Sequence, residues 1–106
     1  MVSRGDIWLA ALGPTVGSEI ERTRPCVVVS PQELNDNLRT VVVVPLTTGS
    51  KSAPFRIATA FEAKRGFMLL EQIRTLEKTR LVKRLGTASP QSLSSALRGL
   101  QDMFAH

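Results

Sequence analysis

Two side chains whose types suit acid–base and phosphate chemistry share one loop of this 106-residue chain. Glu19 and Arg24 stand between a strand-like segment, Asp6–Leu12, and the apolar run Cys26–Ser30. A carboxylate can accept a proton, and a guanidinium can donate two parallel hydrogen bonds to a phosphate. Pro25 holds the residue before it extended, which fixes Arg24 at the start of a strand. Loops that carry charged side chains off a rigid scaffold are where function concentrates. Thr47 and Thr48 end the Val-rich segment Thr40–Leu46 and offer hydroxyls for a second phosphate oxygen. On residue types alone a plainer alternative stays open. Glu19 and Arg24 would pair with each other on the surface, worth ~0–1 kcal/mol, and Thr47 would simply begin a turn.

Competing chemistries are poorly supplied. His106 is the only histidine and the last residue given, so no imidazole pair or histidine metal site is expected. Cys26 is the only cysteine, which excludes an internal disulfide and a cysteine cluster, and its apolar neighbours suit a buried packing role. No metal and no cofactor are therefore expected. Arg4-Gly5-Asp6 matches an adhesion tripeptide but runs straight into a strand. Gly49-Ser50-Lys51-Ser52 resembles the tail of a phosphate-binding loop, yet the earlier glycine is missing and no helical pattern follows.

The length suits one domain spanning residues 1–106, and a hydrophobic fraction of 42% with 22% charged residues argues against disorder. A net charge of +5 points to a polyanionic partner, nucleic acid or an acidic protein segment. The charge is uneven: Arg74, Lys78, Arg80, Lys83 and Arg84 crowd a stretch in which Glu77 is the only acid. No apolar run approaches the ~18 residues of a membrane span, and no charged-then-apolar leader opens the chain, so a cytoplasmic location is the default.

Strand signals dominate. Strands are expected at Asp6–Leu12, Cys26–Ser30, Thr40–Leu46, Phe55–Ala60, Gly66–Leu70, Gln72–Leu76 and Leu81–Ala88, the fifth and sixth open to being one bent strand. Gln32–Leu38 suits a helical turn. Pro45, near the end of a strand, suits an edge or a bulge. Ser89 followed by Pro90 reads as an N-cap and first helical position. Leu93, Leu97, Leu100 and Phe104 then recur at helical spacing, widened by Ala96 and Met103. Gly99 weakens that helix by about 1 kcal/mol relative to alanine. Short strands with one closing helix predict a mainly β fold: a small, strongly bent antiparallel sheet or partly open barrel. Its interior has little space for a buried substrate, so ligands should lie across a surface or a subunit interface.

Taken in order, the motifs Gly5-Asp6-Ile7-Trp8, Pro14-Thr15 with Gly17-Ser18-Glu19, Arg24-Pro25 before Val27-Val28-Val29-Ser30, Val44-Pro45-Leu46-Thr47-Thr48, Pro54-Phe55 and Leu70-Glu71-Gln72-Ile73-Arg74-Thr75 resemble the MazF/PemK/Kid family of toxin–antitoxin ribonucleases. The likeness covers essentially the whole chain. It implies an SH3-like small barrel of the CcdB/MazF type, a homodimer, and metal-independent cutting of single-stranded RNA at short sequences. Ile20-Glu21-Arg22-Thr23 departs from the glycine-containing loop of many relatives, which leaves the target sequence open.

What the resemblance implies at each position is chemically coherent. RNA brings its own nucleophile, the 2′-hydroxyl. Glu19 would accept its proton, Arg24 would stabilise charge on five-coordinate phosphorus, and Thr47 would orient the phosphate. Which of Glu19 and Arg24 returns a proton to the leaving oxygen stays open, although an arginine pKa above ~12 favours an electrostatic role. The products would be a 2′,3′-cyclic phosphate and a 5′-hydroxyl. Thr48, Lys51, Gln72, Arg74, Lys78 and Arg80 are the RNA-binding candidates. Trp8 and Phe55 could stack on a base but read first as core. A cognate acidic antitoxin, MazE-like, would fold into the same basic groove. Two alternatives stand beside this one: a gyrase-inhibiting toxin on the same fold, with no need of Glu19, Arg24 and Thr47, and a plain nucleic-acid-binding module.

Overall fold

In the centre of the molecule lies a strand whose two edges have different work. β3 (Thr40–Thr47) pairs antiparallel with β2 (Thr23–Val28) along one edge, in the register Cys26↔Pro45 and Val28↔Val43. Its other edge is shared. Thr40–Val43 pair with β6 (Arg74–Glu77), and Leu46–Thr47 pair with β5 (Lys64–Leu69). Pro45, which has no N–H to give, falls in the gap where that edge changes partner. The computed structural model describes residues 1–13, 23–49 and 51–106.

β1 (Asp6–Ala11) lies on the far side of β2, with Trp8↔Cys26 and Ala10↔Arg24, and pairs with β7 (Leu81–Thr87) through two register shifts. A 3-10 turn at Lys78–Arg80 carries β6 directly into β7, so β7-β1-β2-β3-β6 curl into a small barrel. β4 (Arg56–Phe61) pairs with β5 and extends the sheet beyond it. The result is the mainly β, strongly bent antiparallel architecture expected of the sequence, closed by a C-terminal helix.

The fifth and sixth strands are not one bent strand. A 3-10 turn, Leu70–Gln72, separates them because Leu70 turns inward to full burial while each strand takes a different part of β3. The β-branched run of β2 is buried on both faces. Cys26 and Val28 join Ala10, Leu12, Val41, Val43 and Leu76 in one cluster, whereas Val27 and Val29 join Ile7, Val44, Leu46, Met68 and Leu70 in the other. The first cluster fills the barrel, and the second lies under the helix.

That helix, α2 (Pro90–Met103), opens as the sequence predicts: Pro90 is its first residue and the Ser89 hydroxyl accepts the Ser92 N–H at 3.1 Å. Ala96 is fully buried against the outer cluster, with Leu97, Leu100 and Met103 beside it. Phe104 departs from the expected stripe, since it caps the helix and is 70% exposed. Gly99 has a packing reason. A Cβ there would meet the Leu70 side chain at 2.5 Å, so the glycine lets helix and sheet approach. The short α1 (Gln32–Asn37) bridges β2 and β3, anchored by buried Asn35, whose side-chain amide donates to the Ser30 carbonyl at 3.1 Å.

Candidate active site

Arg24 sits two residues into β2, and the register Cys26↔Pro45, carried two residues further, puts it opposite Thr47. Side-chain alternation from Cys26 and Val28, and from Val41 and Val43, sets both on the barrel-interior face of the sheet at its open end. Arg24 is half-buried and Thr47 is buried. The Thr47 hydroxyl accepts the Gly49 N–H at 3.4 Å, so the residue both begins a turn and keeps a hydroxyl oriented at the strand end.

The two residues line one cleft of about 180 Å³, together with Thr48, Thr59, Phe61, Glu62 and Lys64. A pocket that encloses a small molecule takes roughly 300–1,000 Å³. The volume here suits a single phosphate with the rest of a ligand lying outside. Thr59 is held from behind, its hydroxyl 3.1 Å from that of Ser92 on α2. The floor depends on Gly66, where a Cβ would overlap the Thr47 carbonyl. Gly66→Ala is expected to push β5 off β3, to lower stability by about 1–3 kcal/mol, and to lower the melting temperature by about 4–8 °C per kcal/mol. Thermal unfolding checks this, and an unchanged melting temperature would contradict the close approach.

Cys26 lies beside the cleft with its thiol donating to the Arg24 carbonyl at 3.6 Å. Burial pushes the thiol up to about 12, against the opposing pull of the Arg74 and Arg24 guanidiniums. It is therefore protonated at neutral pH and no nucleophile, in keeping with a packing role. Arg74, which also acts on this thiol, lies on β6 opposite Val43, four residues along β3 from Thr47.

The remaining sequence-predicted residues are dispersed. Glu19 lies outside the described residues. Arg80 donates to the Ala11 carbonyl at 3.1 Å, and Ala11 pairs with Thr23, so this guanidinium reaches the same end of the sheet as Arg24. Lys78 donates its ammonium to the Asn35 carbonyl and is tied to α1. Gln72 is half-buried in the 3-10 turn after Leu70. Lys51 is exposed, and its carbonyl accepts from Arg56, which is ion-paired with Glu71 at 2.6 Å. Arg84 lies 3.3 Å from the buried Asp6 carboxylate. Trp8 packs on the barrel cluster, whereas Phe55 is 40% exposed and not core.

Sequence reasoning missed Thr59, Phe61, Glu62 and Lys64. They reach the cleft because β4 and β5 form a hairpin with Phe61↔Lys64 as its last pair and Glu62-Ala63 as its loop. Both loop residues have positive φ, 52° and 63°. Such a turn is normally announced by Asn-Gly or a similar pair, and Glu-Ala carries no such signal. Among the described residues there is no group of three or more His, Cys, Asp or Glu side chains able to hold a metal ion, and no helix is long and apolar enough to cross a membrane.

Comparison with known proteins follows the same lines. Residues 3–104 match the family described as PemK-like, MazF-like toxin of type II toxin–antitoxin systems. The endoribonuclease MazF of Staphylococcus epidermidis is 38% identical over 91 residues, covering 80% of this chain and 76% of that protein. The endoribonuclease PemK of Escherichia coli is 36% identical over 104 residues, 92% of this chain and 77% of its own. A mycobacterial endoribonuclease solved in complex with its cognate antitoxin superposes with a TM-score of 0.81 at 25% identity, covering 96% of this chain and 93% of that one. MazF of Deinococcus radiodurans superposes with a TM-score of 0.78 at 24% identity, covering 95% and 93%. With residues 3–104 matched and its barrel shared, the chain belongs to the PemK-like, MazF-like toxin family of type II toxin–antitoxin systems.

Proposed function

We infer that this toxin is an endoribonuclease that cuts single-stranded RNA at short sequences without a metal ion. Relatives named as endoribonucleases, 34–38% identical over most of the chain, support the activity. The observation that carries the mechanism is the meeting of Arg24 and Thr47, from neighbouring strands, on one phosphate-sized cleft. Glu19 takes the proton of the 2′-hydroxyl, the 2′-oxygen attacks phosphorus, and the P–O5′ bond breaks as the 5′-oxygen takes up a proton, so that on balance the 2′-hydroxyl proton ends on the 5′-hydroxyl. Arg24 neutralises charge on the phosphorane oxygens, and the Thr47 hydroxyl orients the phosphate. Arg74 and Arg80 supply long-range attraction for the RNA backbone, and Thr48, Lys51, Gln72 and Lys78 complete the binding set.

The protein acts in the cytoplasm as a homodimer, and an acidic antitoxin segment blocks the basic groove. The antitoxin complex of a structural relative supports that partner. The test is purified protein on a long mixed-sequence RNA in EDTA, with mass spectrometry of the fragment ends. Cutting at a short recurring word with 2′,3′-cyclic phosphate and 5′-hydroxyl ends is expected. Cutting that requires added magnesium and leaves 3′-hydroxyl ends would overturn the mechanism.

A further inference from the structure

The tip of the β4–β5 hairpin puts two charges of opposite sign on the wall of the Arg24 cleft. Lys64 suits a phosphate, but Glu62 does not. Beside a site that must hold a polyanion, an exposed carboxylate lowers affinity through like-charge repulsion. No contact among the described residues accounts for its presence. Among the described residues neither the Glu62 nor the Lys64 side chain makes a hydrogen bond or an ion pair, whereas Asp6 and Glu71 each have a guanidinium partner. The backbone works against Glu62 as well. It holds φ +52° with Ala63 at +63° behind it, in a loop where asparagine and glycine would relieve the strain. Strained residues on a cleft wall are the pattern of a functional site.

A carboxylate has one use beside RNA that offsets its repulsion. It accepts hydrogen bonds from the amino groups of bases, as glutamate does from cytosine N4. Single-stranded RNA presents those edges unstacked, and proteins read it there. The cleft is too small to enclose a nucleotide, so the base beside the bound phosphate must lie against its wall. Phe61, half-buried against the outer cluster, turns its remaining surface to that wall next to Glu62.

Resting on the RNA reading above, we propose that the Phe61–Lys64 hairpin tip is the base-selecting wall of this cleft, with Glu62 choosing bases that carry an exocyclic amino group and Lys64 holding the neighbouring phosphate. Glu62 thus sets specificity and Lys64 sets affinity.

Fluorescence anisotropy with 2′-O-methyl oligonucleotides separates the two, because these cannot be cut and the readout does not need catalysis. Wild type is expected to bind oligo-C and oligo-A about tenfold more tightly than oligo-U. Glu62→Ala and Glu62→Asn should both bring that ratio near one. The asparagine variant suits the turn better than glutamate, so it also guards against a folding defect. Lys64→Ala should weaken all three oligonucleotides alike and reduce the slope of log K against log salt by about 0.7. An unchanged preference in both Glu62 variants, or equal binding of all three by wild type, overturns the proposal. Absence of RNA cutting by wild type, with the base preference intact and lost in the Glu62 variants, would sink the endoribonuclease reading and leave the base-selecting wall standing.

Discussion

Replacing Arg24 with alanine is expected to lower kcat for RNA cutting about 100- to 1,000-fold, the usual loss when one preorganised donor to a developing oxyanion is removed. The physical reason is local. In the proposed mechanism a five-coordinate phosphorus would gather negative charge on oxygens at the Thr47 end of the cleft, where the half-buried Arg24 guanidinium would meet it with little solvent to screen it. KM should change less, because Arg74 and Arg80 still attract the backbone. Arg24→Lys keeps the charge but loses the two-pronged geometry, so it should recover only part of the rate. The measurement is single-turnover cutting of a labelled RNA, alongside a melting curve to show that the barrel is intact. Unchanged kcat in Arg24→Ala would remove this residue from the mechanism. Growth arrest without RNA cutting would favour a toxin that acts by binding a protein.

The second large effect lies in the substrate. An RNA in which the nucleotide 5′ to the cut carries a single 2′-deoxy sugar is expected to stay whole at that bond, while the flanking cut sites react as before. Among the described residues the cleft holds no activated serine or cysteine. The chain's one cysteine is buried and protonated, with its thiol pushed up to about 12, and the cleft hydroxyls belong to threonines with no histidine beside them. In the proposed mechanism the attacking oxygen is therefore the RNA's own 2′-hydroxyl. Affinity for the deoxy substrate should fall by no more than about tenfold, the worth of one hydrogen bond. Gel electrophoresis of matched all-RNA and single-deoxy oligonucleotides reads both quantities. Cutting at the deoxy position would point to water as the nucleophile and to a different mechanism.

Much of the architecture was legible because short-range signals agree with the fold. Val27-Val28-Val29 reads as a doubly buried strand, and each valine does go to a different face from the next. Ser89-Pro90 reads as a helix start, and the cap forms. The misreadings share one cause. Whether Leu69–Gln72 continues a strand or turns depends on where β3 changes partner, which is a contact between distant segments. Phe104 fits the helical period yet falls beyond the last turn that has sheet beneath it. Gly99 looks like a weak helix residue until Leu70 is seen against it.

The site divides in the same way. Arg24 stood out at a strand entrance before a proline and Thr47 at a strand end in a hydroxyl pair, and antiparallel pairing of β2 with β3 brought them together. The cationic run from Arg74 to Arg84 did not stay together as a face. Lys78 went to an α1 carbonyl, Arg84 to Asp6 and Arg80 to the end of β1, since a strand alternates its side chains and a 3-10 turn redirects them. By itself, then, the amino-acid sequence determined the family, the strand-rich barrel with its closing helix, and a guanidinium and a hydroxyl as the residues to watch, all of which follow from local pattern and residue chemistry. Only the tertiary structure decided which charges share a cleft. Glu62 and Lys64 reach Arg24 through a hairpin and a sheet register, and no spacing along the chain encodes that meeting.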